Sequence, residues 1–147
     1  MNPSKVAVDT DLVFAHLTET RTPSLLRTVM NSFFCYTTVF NAIELFSFAR
    51  TEEEVQAVDD ALYSMKVLGL NAKGAKNVGR ILSSVRNRKG NDFAALIAGL
   101  CIESKLPIIS MNPKRFKGIE GLQVISARSL KRISIKEEIL STTFYKE

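Results

Sequence analysis

Short uninterrupted apolar runs alternate along this chain with longer stretches whose apolar positions recur every three or four residues. Val6-Ala7-Val8 is the first short run. It reads as a strand buried on both faces that ends where Asp9, Thr10 and Asp11 begin. Leu12 to Leu17 reads as a short helix with Asp9 or Thr10 as N-cap, and Pro23-Ser24 starts a second helix through Leu25, Leu26, Val29 and Met30. Phe33 to Thr38, rich in aromatic and small residues, predicts a second strand. A helix through Ala42, Ile43, Leu45, Phe46 and Phe48 carries Glu44 in its middle. Thr51-Glu52-Glu53-Glu54 opens the next helix with acids in the first turn, where the dipole favours them. That helix runs to about Met65, with Val55, Val58, Ala61 and Leu62 facing inward.

Val67 to Leu70 predicts a third strand, and Ala72 to Asn87 an amphipathic helix on Ala75, Val78, Ile81, Leu82 and Val85. Arg86 to Asn91 has the composition of a polar loop. Phe93 to Ser104 is apolar almost all round and predicts a buried helix. Leu106 to Ser110 and Leu122 to Ile125 supply a fourth and a fifth strand. The tail from about residue 129 reads as an amphipathic helix with a loosely ordered end. Strands alternating with helices predict one α/β domain over 1–147, in three layers around a mostly parallel sheet of about five strands.

Composition narrows this picture little. The chain has 147 residues, 46% of them hydrophobic and 24% charged, as in an ordinary globular protein. No apolar run approaches the roughly 20 residues that span a bilayer, and Met1 to Lys5 leaves no room for a signal peptide, so a cytoplasmic protein is expected. Cys35 and Cys101 sit singly among apolar residues and read as buried thiols. His16 is the single histidine, which removes His-based triads and His-rich zinc sites from consideration. Charge changes the picture more. The net charge is +5, and no acid occurs from Ala61 to Asn91, where Lys66, Lys73, Lys76, Arg80, Arg86, Arg88 and Lys89 all fall. Such a face is either a solvated helix surface or the footprint of a phosphate-rich partner.

Four carboxylates stand where a strand end or an apolar helix would present them: Asp9, Asp11, Glu44 and Asp92. A carboxylate among Ile43, Leu45, Phe46 and Phe48 is costly to bury unless it is paired, hydrogen-bonded or on a metal. Asn112 follows the fourth strand as Asp9 follows the first. Brought to one sheet edge, these groups would form a pocket of oxygen ligands suited to Mg²⁺ or Mn²⁺. Each also has a plainer reading. Asp92 serves as an N-cap, Asp11 as a charge on the helix dipole, and Asn112 before Pro113 as a turn residue.

The order of these stretches resembles the PIN-domain family, most closely the VapC-type ribonuclease toxins of prokaryotic toxin–antitoxin pairs. The resemblance rests on Val8-Asp9-Thr10-Asp11, on Thr38 to Leu45, on Asp92 to Ala98, and on Ile109 to Phe116 followed by Gly121 to Ile125. It implies a PIN-like α/β/α fold and a Mg²⁺- or Mn²⁺-dependent endoribonuclease. It also implies a homodimer restrained by an antitoxin inserted into the active-site groove. Asp9 matches the family's first metal-binding aspartate and Glu44 its glutamate. Ser110 and Asn112 match the Thr/Ser-x-Asp/Asn element, and Asp11 falls where Asn, Asp or Ser is common. Ala94 stands where the family usually has Asp, with Asp92 two residues earlier. On this reading Asp9, Glu44 and Asp92 hold the metal, with Asp11 and Asn112 assisting and Thr10 and Ser110 in support. Lys114, Arg115, Arg80, Arg86 and Arg88 would grip the RNA backbone. The alternative is a catalytically degenerate PIN module that binds RNA or protein, which Ala94 favours and the retained acids oppose.

Overall fold

The computed structural model describes residues 4–19, 24–85 and 92–130. Its elements run β1 (Lys5–Val8), α1 (Thr10–Thr18), α2 (Leu25–Ser32), β2 (Phe34–Thr38), α3 (Val39–Phe48), α4 (Glu52–Tyr63), β3 (Lys66–Leu68), α5 (Ala72–Ser84), α6 (Asp92–Glu103), β4 (Ile108–Ser110) and β5 (Val124–Ser126). A turn of 3₁₀-helix, Pro113–Phe116, lies between β4 and β5. The sheet has the order β3-β2-β1-β4-β5, with every pairing parallel. The three-layer α/β/α class with a parallel sheet of five strands, expected from the sequence, is the class found.

The central strand shows why the first apolar run has no polar member. Val6, Ala7 and Val8 are all buried. Alternation along a strand sends Val6 and Val8 into one core, with α1 to α4, and Ala7 into the other, with α6. From β1 the chain builds outward to β2 and β3 on one side and later to β4 and β5 on the other. The strand order therefore reverses between β1 and β4, and a crevice opens there beyond the carboxyl ends of the strands, where ligand sites collect in such sheets.

The helix caps follow the sequence closely. Asp9, Ser24, Thr51 and Asn71 cap α1, α2, α4 and α5 through side-chain oxygens, and Thr38 forms a reciprocal capping box with Asn41 at the start of α3. Several boundaries and faces differ from expectation. β3 covers Lys66–Leu68 rather than 67–70. β4 starts at Ile108 because Pro107 has no N–H to give the ladder, although its carbonyl still accepts from Ala7 N at 2.8 Å. Val55 and Ala75, expected to face inward, are exposed. The helix expected from about residue 129 has a helical turn at 127–130, and its remainder lies outside the described residues.

On the second face, α6 rests on the sheet and α5 rests on α6. The close approach is made at Gly99, where an added Cβ would stand 2.9 Å from Val78 Cγ1. Val78 is itself buried, so it has little room to yield. Gly99→Ala is therefore expected to destabilise the chain by about 1–3 kcal/mol despite alanine's better helix propensity. Urea unfolding of the two proteins checks this, and a more stable Gly99→Ala would contradict it.

Candidate functional site

Three acidic side chains meet at the crevice. Asp9 is the residue after β1, Asp11 lies in the first turn of α1, and Glu44 is in the middle of α3. Asp9 is fully buried. Its Oδ1 accepts from Thr10 N at 2.8 Å, from Asn41 Nδ2 at 3.2 Å and from an Arg115 guanidinium nitrogen at 3.0 Å. Its Oδ2 accepts from Ser110 Oγ at 2.8 Å. Glu44 receives Thr10 Oγ1 on one oxygen and the second terminal nitrogen of Arg115 on the other, both at 2.6 Å. One guanidinium thus spans Asp9 and Glu44, with 19% of its side chain exposed. Asp11 is engaged elsewhere. It accepts from the backbone N–H of Met111 and Asn112, and from Ser110 Oγ, pinning the turn after β4 to α1.

Sequence-local features place each group. The capping box at the start of α3 buries Asn41, whose amide oxygen serves Thr38 while its N–H₂ reaches Asp9 and Thr10. Glu44, three residues on, falls on the same face of the helix. It is half-buried, and its neighbours Ile43 and Phe48 are exposed, so the apolar company expected around it from sequence is not what surrounds it. Arg115 is delivered by the 3₁₀ turn. Pro113 opens that turn, Phe116 plugs the second core, and the Phe116 ring lies 5.7 Å from the guanidinium carbon.

Burial, reinforced by the Asp11 charge, pushes the Asp9 carboxyl up to about 6 against the pull of Arg115. Burial alone would lower the Arg115 guanidinium. Its hydrogen bond to Glu44 and the charges of Asp9, Glu44 and Asp11 outweigh that and hold it above its usual value. The thiols Cys35 and Cys101 are free and buried, and burial pushes them up to about 11 and about 12.

Of the residues singled out from sequence, Asp9, Thr10, Asp11, Glu44 and Ser110 come together in one hydrogen-bonded cluster. Asn112 joins through its backbone N–H, while its residue is exposed. Arg115, read from sequence as an RNA-gripping cation, is here paired with Asp9 and Glu44. Arg80 and Lys114 are exposed, with no described contact to the cluster. Asp92 opens α6, but its side chain, like Arg86 and Arg88, lies outside the described residues. Asn41 and Thr38 belong to the cluster although sequence reasoning does not nominate them. Their signal is the Thr-x-x-Asn spacing directly before the helix that carries Glu44.

The donor chemistry is that of a hard cation site, but the arrangement does not fit one. All four oxygens of Asp9 and Glu44 already have donors, and a guanidinium stands where a shared cation would sit. Ala94 is buried in the apolar core with Ile97, Ala98 and Phe116. Among the described residues, no three acidic, histidine or cysteine side chains are grouped so as to hold a metal.

By sequence the chain matches no protein-family profile and no curated protein. By structure it is similar to the DNA-bound VapBC complex of Salmonella typhimurium, with a TM-score of 0.71 at 20% identity over 84% of this chain and 98% of that one. It is also similar to VapBC2 of Rickettsia felis bound to a promoter fragment (TM-score 0.68, 17% identity, 83% and 98% covered). VapBC-1 of nontypeable Haemophilus influenzae matches comparably (0.68, 16%, 84% and 98%). The chain has a VapC-like PIN fold. In this PIN fold the acidic crevice occupies the sheet's switch point.

The raised Asp9 carboxyl gives a pH prediction. A carboxyl whose folded pKa exceeds its unfolded value favours the folded state while protonated. That contribution is present below about 3.8 and is lost as the pH rises through about 6. Relative to Asp9→Asn in chelator, the wild type should lose roughly 2–3 kcal/mol between pH 4 and pH 7.5. Parallel pH profiles of unfolding would contradict it.

Proposed function

We propose that this chain is a VapC-like PIN module that works by binding a partner protein, its acidic centre closed by its own arginine. The observation that carries the reading is the guanidinium of Arg115 bonded to both Asp9 and Glu44, in the place where a nuclease of this kind would need a metal ion. The buried methyl of Ala94, at the position where the resemblance expects an acid, supports it.

The partner is of the antitoxin type. The similar solved structures are VapBC complexes, and this chain presents an apolar groove of about 460 Å³ between α1, α3 and α4. Phe14, Leu17, Leu45, Phe48 and Val58 line it. Phe14 and Phe48 are 46% and 61% exposed and meet edge to face, leaving aromatic surface uncovered of the kind that marks protein interfaces. Exposed Phe34, on β2, is available to the homodimer that the resemblance implies. Lys73, Lys76 and Arg80 form an exposed stripe on α5 at spacings of three and four, which suits RNA as an additional ligand. Among the described residues no helix is long and apolar enough to cross a membrane.

A second reading, a Mg²⁺- or Mn²⁺-dependent endoribonuclease, is favoured by the convergence of Asp9, Asp11 and Glu44 and by Asp92 at the head of the helix that carries Ala94. The two readings separate in one assay. Purified full-length chain incubated with structured RNA and millimolar Mg²⁺ or Mn²⁺ is expected to leave it intact. Cleavage that disappears in Asp9→Asn and Asp92→Asn would establish the nuclease instead.

A further inference from the structure

The bridge between Asp9 and Glu44 is built rather than incidental. Phe116, almost fully buried, fixes the 3₁₀ turn that carries Arg115. The two terminal nitrogens of the guanidinium address two different carboxylates from distant parts of the chain, at 3.0 and 2.6 Å. Each carboxylate's other oxygen is taken by a hydroxyl, Ser110 for Asp9 and Thr10 for Glu44. Asp11 is met separately by the amides after β4. A planar, always-charged guanidinium suits such two-pronged bonding in a way that an ammonium does not. A divalent ion bound by the same oxygens would demand them at about 2.0–2.1 Å in near-octahedral order, so it and the guanidinium exclude each other.

We infer that Arg115 is a resident cation in place of a metal: it keeps the carboxylates from binding Mn²⁺ or Mg²⁺, and removing its charge opens them to the ion. The inference rests on the closed centre of the binding-module reading. It extends that reading by making the closure the property of one side chain.

The test is Mn²⁺ binding by the full-length chain, read by calorimetry and by thermal unfolding in chelator and in Mn²⁺. The wild type should show no change of midpoint at millimolar Mn²⁺. Arg115→Gln should unfold several degrees earlier in chelator and recover in Mn²⁺, binding the ion about tenfold more tightly than the wild type or better. Adding Glu44→Gln to Arg115→Gln should abolish that recovery. Arg115→Lys, which keeps a charge but cannot span two carboxylates, should fall between. If Arg115→Gln does not fold in chelator, folding on addition of Mn²⁺ supports the inference and failure to fold with it overturns it. Equal Mn²⁺ binding by wild type and Arg115→Gln, or none by either, also overturns it. Metal-independent RNA cleavage by the wild type bears on the binding-module reading alone, whereas Mn²⁺ binding by the wild type as tight as that by Arg115→Gln ends this inference whether or not RNA is cut.

Discussion

A carboxylate with no exposed surface must be neutralised or it will not stay charged, and Asp9 is such a group at the end of the central strand. Much of the surrounding architecture answers that demand. The first amide of α1, the Asn41 side chain and Ser110 all donate to it, and they come from three different strand ends. Arg115 adds the full positive charge. Removing one partner from a buried ion pair costs about 3–5 kcal/mol where the other stays charged. The same demand accounts for the buried hydroxyl of Ser110 at the end of an otherwise aliphatic β4.

Neutralisation from within has a functional consequence. A site that borrows its cation from solvent is open to metal and to whatever the metal binds. A site that carries its cation on a short turn anchored in the core by Phe116 is self-sufficient. The chain brings Asp9, Asp11 and Glu44 to one crevice, buries Ala94 in the second core and holds a guanidinium between Asp9 and Glu44. On the proposed reading, the surfaces offered to partners are the apolar groove beside Phe14 and Phe48 and the basic stripe on α5.

The fold is legible in the sequence because its signals are local. Val6-Ala7-Val8 reads as a strand covered on both sides, and Ser24 and Thr51 announce helix starts by their own hydrogen-bonding chemistry. Asp9 and Glu44 can be nominated because an acid at a strand end or inside an apolar helix stands out from its surroundings, and Ser110 because the family resemblance marks it. What stays hidden depends on distance. Nothing near residue 115 says that its side chain will reach residues 9 and 44, since that follows from how far the turn after β4 folds back over the sheet. In sequence Arg115 sits beside Lys114 and looks like half of a basic patch. In the fold the two part company, one exposed and one drawn in toward the acids. Asn41 escapes notice for a related reason: a capping residue's second role, holding Asp9, is invisible until both are placed.

The most direct test of a crevice closed by its own arginine is a crystal structure of the full-length chain grown in Mn²⁺, with anomalous data collected at the manganese edge. A resident guanidinium predicts continuous density for Arg115 between Asp9 and Glu44 and no anomalous peak in the crevice. A manganese peak bonded to Asp9 and Glu44, with Arg115 turned away, would contradict it.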